Sequence, residues 1–186
     1  MYQGCRKALR GLIALFIIAG LSWLSVGCSV RQARQDIGAR STAETTTPPA
    51  DTFEAQVVDV TDGDTIKVSH QAERLTLRLA RIDAPERTQA YGEQASDFLS
   101  AQTLNQTLIV QITEKDRYGR WLAEVYLLNG HNLNQMLVAT GNAWWYREYA
   151  PNDKILEILQ NEARQGMRGL WSQEDPTPPW RFRQKH

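Results

Sequence analysis

Between Val57 and Leu127 apolar residues fall five times into the short alternating runs of β-strands, with one helix-length stretch set among them. Val57, Val58 and Val60 mark the first strand, and Thr65-Ile66-Lys67-Val68 the second, behind the turn residues Asp62-Gly63-Asp64. Leu75, Leu77 and Leu79 alternate with Thr76, Arg78 and Ala80 in a third. Glu93 to Leu104 reads as a helix. Leu108–Ile112 and Leu122–Leu127 are two more strands, joined through the hairpin-like loop Asp116-Arg117-Tyr118-Gly119-Arg120. After Gly130 the period lengthens. Leu133, Met136 and Leu137 take helical spacing, as do Ile155, Ile158 and Leu159. Asn152 or Asp153 caps the last helix behind Pro151, and Gly166 or Gly169 ends it.

Strands first, one helix interposed and two trailing predict an α+β domain over residues 53–172: a five-stranded OB-type β-barrel with about three packed α-helices. The flanking segments differ. Residues 1–28 carry Arg6, Lys7 and Arg10, no acidic residue, an apolar run from Leu12 to Leu24, and small residues after it. That is the pattern of a signal peptide, and the chain is expected to be exported to the cell envelope. Cys28 after Gly27 resembles a lipoprotein lipidation site, although Ser25 stands where that pattern prefers an aliphatic residue. A membrane-anchored lipoprotein is the reading taken; conventional cleavage to a periplasmic or secreted form is the alternative. Residues 29–52 are polar and Thr/Pro-rich, a flexible tether. Residues 173–186 read as a disordered basic tail.

Charge narrows the function. The chain has 21 Lys+Arg and 21 Asp+Glu, which excludes a cationic coat that binds nucleic acid by bulk charge. Without its first 28 residues the balance is 18 against 21, and from Phe53 to Ser172 it is 12 against 16. Two cysteines, Cys5 and Cys28, build neither a disulfide scaffold nor a four-ligand zinc site.

The chemistry-bearing residues concentrate where strands end. Asp64 and Asp83 are carboxylates able to share one hard cation; with the backbone carbonyl of Ala84 and water they would make an open site. Arg78 sits inside an apolar strand pattern, where an unpaired charge is expensive, so it is expected to be functional or internally paired. A guanidinium fork grips phosphate oxygens and cannot lose its proton, a role open to Arg78 and Arg120. Arg81, Arg87 and Arg117 are expected on the surface. Glu86, behind Ala84-Pro85, is placed to orient or deprotonate a water. Alternation poses one difficulty: Arg78, Ala80 and Ile82 share a face and Asp83 lies on the other. Convergence of Arg78 with Asp83 therefore demands a bend or bulge before Asp83.

The segments Asp62–Val68, Arg78–Glu86 and Asp116–Ala123, with a nine-residue spacer between the first two, resemble the signatures of the staphylococcal nuclease family, and the likeness runs on to Trp171. The resemblance implies a calcium-dependent nuclease that hydrolyses phosphodiester bonds of DNA and RNA with little sequence preference, leaving 3′-phosphates. It implies Asp64, Asp83 and the Ala84 carbonyl as Ca2+ ligands, and Arg78, Glu86 and Arg120 as catalytic. Tyr118, Tyr146 and Tyr149 stand where the family contacts nucleotide. The chain is expected to act as a monomer with no protein partner. The alternative of another class is an OB-fold module that holds nucleic acid without cutting it.

Overall fold

The computed structural model describes Pro49 and residues 51–185. The leader with Cys28, and nearly all of the 29–52 tether, lie outside the described residues. Among the described residues no helix is long and apolar enough to cross a membrane.

The chain runs β1 (Phe53–Asp62), β2 (Thr65–His70), β3 (Glu73–Leu79), β4 (Ile82–Asp83), α1 (Gly92–Thr103), β5 (Thr107–Lys115), β6 (Trp121–Leu127), α2 (Leu133–Ala139), β7 (Trp144–Trp145), α3 (Lys154–Gln165), a 3-10 turn (Gly169–Ser172) and α4 (Pro179–Phe182). The expected five-stranded barrel is present and closed in the order β1-β2-β3-β6-β5. Strand β1 closes it by serving two partners: Phe53–Gln56 pair with β5, and Gln56–Asp62 pair with β2. Register shifts at Val57/Asp59 and Val60/Asp62 supply the coiling that lets one strand turn this corner. Pairing is antiparallel except between β3 and β6.

The alternation read from sequence is the barrel interior. Val57, Ile66, Val68, Leu77, Leu79, Leu108, Val110 and Val125 are fully buried. Leu99 of α1 and Leu133 and Leu137 of α2 join the same core. Each such side chain contributes about 1.5–3 kcal/mol by leaving water. Asn132 caps α2 by accepting from the Gln135 amide, and Asp153 caps α3 by accepting from the Leu156 amide, as the 152–153 cap predicts.

Three features depart from the sequence reading. Strands β4 and β7 form a two-residue ribbon apart from the barrel, Ile82 opposite Trp145 and Asp83 opposite Trp144; two residues are too few to show a period. Arg81 is not a free surface residue: it ion-pairs with the buried Glu124 at 2.6 Å and with Asp153. The tail expected to be disordered from 173 is folded back as far as Lys185. Pro179 stands at the start of α4 and is buried, and Trp180 stacks on Tyr146 and meets Trp144 edge-on. Proline presets the first helical residue and Trp180 supplies the apolar anchor, but a four-residue helix is too short to declare itself by periodicity.

Candidate active site

The loop between β1 and β2 begins the site. The Asp62 carboxylate accepts from the Asp64 amide at 3.1 Å, closing the turn that aims Asp64 inward. Gly63 is required there: a Cβ would stand 2.8 Å from the Ala84 Cβ and 3.0 Å from that of Ala95. The loop is thus pressed against both the β4 segment and α1. Asp64 is 5% exposed and accepts from the Ala84 amide at 2.7 Å and the Thr65 hydroxyl at 3.1 Å.

The parity conflict is resolved at Ala80-Arg81. Arg81 adopts φ 66°, the left-handed region, just after β3 ends. The chain then leaves the barrel as β4 and swings Asp83 back toward Arg78. The Arg81 pairs with Glu124 and Asp153 hold this turn, and Asn132 and Asn134 donate to Glu124 in turn. Glu124 was missing from the sequence reading; a lone carboxylate inside the apolar run Leu122–Leu127 was its signal.

Arg78 is the junction. Its side chain is 11% exposed. One terminal nitrogen donates to the carbonyls of Leu79 at 2.7 Å and Ile82 at 2.9 Å. The other donates to Asp83 Oδ1 at 2.8 Å and meets Asp64 Oδ2 at 2.9 Å. Asp64 and Asp83, 19 residues apart in the chain, therefore converge on a single nitrogen. Burial raises the proton affinity of both carboxyls more than Arg78 lowers it, and the charges of Asp62 and Asp83 add to the rise at Asp64. The two buried carboxylates share Arg78, and a second cation, Arg183, stands on Asp83.

Among the described residues no group of three or more His, Cys, Asp or Glu side chains gathers into a metal site; Asp64 and Asp83 are two hard donors that suit a divalent ion whose shell water completes. Hard carboxylate oxygens from two segments face one point, and a cation already stands beside them. The Arg183 guanidinium lies on Asp83 at 2.8 and 3.2 Å and on Glu86 Oε1 at 2.7 Å. Asp64 and Asp83 would hold the ion. Ala84 is tied to Asp64 through its amide.

Glu86 is delivered by the loop between β4 and α1. Gly92 fixes that loop: a Cβ there would fall 1.9 Å from the Glu86 carbonyl oxygen. Within the loop Gln89 accepts from the Glu86 amide at 3.2 Å.

Arg120 faces the same cleft, of about 1040 Å³, from its other rim, without contact to the Asp64–Asp83 pair. Its Nε donates to Asp116 Oδ2 at 2.8 Å, while Asp116 Oδ1 accepts from the amides of Tyr118 and Arg120. Tyr118 is 70% exposed on this rim. Tyr146 and Tyr149, with ring centres 4.7 Å apart, line the same cleft. Trp144 and Trp145 pack inward instead; the Trp145 indole donates to the Ala150 carbonyl at 2.9 Å. The cleft thus gathers Asp64, Arg78, Asp83, Glu86, Arg120 and the three tyrosines.

A family model described as staphylococcal nuclease homologue matches residues 76–173, more than half of the chain and the span that carries Arg78, Asp83, Glu86 and Arg120. The chain belongs to the staphylococcal nuclease family. Among the relatives of this nuclease-family chain, an "Uncharacterized endonuclease" of Escherichia coli O157:H7 is 46% identical over 130 residues, covering 70% of this chain and 84% of the relative. A "Micrococcal nuclease" of Shigella flexneri is 41% identical over 142 residues, 70% of this chain and 80% of its own length. An "Uncharacterized endonuclease" of Haemophilus influenzae is 35% identical over 133 residues, covering 70% and 74%. Arg183 lies beyond the span the family model matches.

Proposed function

We propose that the protein is an exported, calcium-dependent nuclease that hydrolyses phosphodiester bonds of DNA and RNA by in-line attack of water. One observation carries the reading: Asp64 and Asp83 meet on Arg78, and Glu86 opens into the same cleft. That arrangement combines a cation site with phosphate-gripping and water-holding groups. Relatives named endonuclease and micrococcal nuclease support it.

In this reading Arg120 binds the scissile phosphate with its open fork, and Arg78, fixed among the carboxylates, faces it with its charge. Both stabilise the charge that grows on its oxygens in the transition state. Glu86 holds the attacking water in line and accepts its proton as the water oxygen bonds to phosphorus. The bond to the 5′-oxygen breaks, that oxygen takes a proton from solvent, and a 3′-phosphate remains. A calcium ion on Asp64, Asp83 and the Ala84 carbonyl would act as Lewis acid toward the phosphate. Tyr118 and Tyr149, both exposed, offer faces on which bases stack without sequence preference, at about 1–3 kcal/mol per base, while Tyr146, stacked on Trp180, lines the cleft by its edge. The leader supports export, and Cys28 a lipid anchor; membrane fractions should lose the protein when Cys28→Ala is made.

The test is cleavage of denatured DNA and of RNA by the full-length protein, in calcium or chelator, beside Glu86→Gln. Cleavage in calcium alone, cut by about 10²-fold or more in Glu86→Gln, is expected. Cleavage indifferent to both changes would overturn the mechanism. Retention of DNA in calcium without cleavage would favour the binding module instead.

A further inference from the structure

We infer that the C-terminal segment completes the active site, and that Arg183 is a positioning residue that holds Glu86 for hydrolysis. The inference rests on the nuclease reading above and extends it to a residue outside the matched span.

The segment is anchored as part of the domain. Pro179 is buried, Trp180 stacks on Tyr146 with ring centres 5.3 Å apart and planes 7° from parallel, and Gln89 of the Glu86 loop donates to the Thr177 carbonyl. Trp180 also meets Trp144, the residue paired with Asp83 across the β4–β7 ribbon. These contacts carry Arg183 to the site, one residue beyond the end of α4.

There the guanidinium uses its fork. Two nitrogens grip the two oxygens of Asp83, at 3.2 and 2.8 Å, and one of them also donates to Glu86 Oε1 at 2.7 Å. Among the described residues Arg183 is the only side-chain partner of the Glu86 carboxylate. Two neighbouring carboxylates repel, and Glu86 turned away by Asp83 would not hold a water in line. Arg183 cancels that repulsion and fixes the Glu86 rotamer, which a lysine, as a point charge, does only in part. Its side chain is 42% exposed, leaving it free to yield Asp83 to a metal while keeping Glu86.

The experiment compares the full-length protein with Arg183→Ala, Arg183→Lys and, as control, Arg181→Ala, whose side chain lies on the exposed side of α4. Arg183→Ala should lower kcat on denatured DNA about ten- to a hundredfold with KM within about twofold, and Arg183→Lys should recover part of the loss. Arg181→Ala should match the parent. Calcium titration by calorimetry supplies a readout without turnover: with its competitor for Asp83 gone, Arg183→Ala should bind calcium several-fold more tightly. An unchanged or raised kcat in Arg183→Ala, a loss confined to KM, or an unchanged calcium affinity would overturn the inference. If Arg183→Ala fails to fold, Arg183→Lys decides: lowered kcat supports the role and parental kcat removes it. Failure of the parent to cleave would instead strike the nuclease reading itself.

Discussion

Arg78 and Arg120 look alike as catalytic cations, yet the fold treats them in opposite ways. Arg78 is sunk at the end of β3, with two carbonyls and two carboxylates fixed on its terminal nitrogens. Arg120 stands on the β5–β6 loop, 34% exposed, paired with the Asp116 carboxylate and lying over the Tyr118 ring. One arginine is part of the frame on which the carboxylates are arranged, so its geometry is set before substrate arrives. The other keeps most of its fork for a ligand. The pair teaches that a preorganised charge and an available one are different devices, even where both serve one phosphate.

The largest effect should come from Arg78→Ala. It takes from the buried Asp64 its one cation among the described residues and leaves Asp83 only Arg183, at a cost of about 3–5 kcal/mol, and abolishes cleavage together with the fold's margin. Thermal denaturation and hydrolysis should fall together; a variant that melts like the parent would show that Arg78 is not structural. Arg120→Ala should separate the two readouts, lowering kcat about 10²–10³-fold with stability changed by less than about 1 kcal/mol. A melting shift as large as that of Arg78→Ala would erase the contrast. Lysine replacements should sharpen it. Arg120→Lys keeps a mobile charge and should lose about tenfold or less, whereas Arg78→Lys surrenders the fork and costs about 1.5–3 kcal/mol of stability as well.

The same contrast marks what the sequence could show. Barrel strands were legible because Ile66, Leu77, Val110 and Val125 alternate with outward residues, and a closed barrel has a single inside. Asp64, Arg78, Asp83 and Glu86 were legible as a group because charge placed at strand ends within an apolar pattern has few structural excuses. The bend that unites them was not, since it depends on Arg81 in a left-handed conformation, held by Glu124 and Asp153, 43 and 72 residues away. Arg183 was hidden for a related reason: it reaches Asp83 from 100 residues away on a segment too short to show a period. Long-range ion pairs leave no period in a sequence.

The smallest effect tests how firmly Arg120 is held. Burial works against the Asp116 charge, but the bonds from the Arg120 side chain and from the amides of Arg120 and Tyr118 outweigh it, so its carboxyl stays below the ordinary 3.8. A carboxyl whose pKa falls on folding contributes stability that is present above that ordinary value and is lost as pH drops through the lowered one. Asp116→Asn keeps an oxygen for both amides and replaces Oδ2, the charged acceptor of the Arg120 Nε, with an NH2 group that cannot accept. It should therefore melt below the parent at neutral pH, by about 1 kcal/mol or less, with the gap narrowing only as pH falls below the ordinary 3.8 and the parent carboxylate takes up its proton. A gap that does not narrow at all as the solution is acidified through the Asp116 titration would mean that the turn's shape, and not its charge, holds Arg120. In that case Arg120 would belong with Arg78 as a fixed part of the frame.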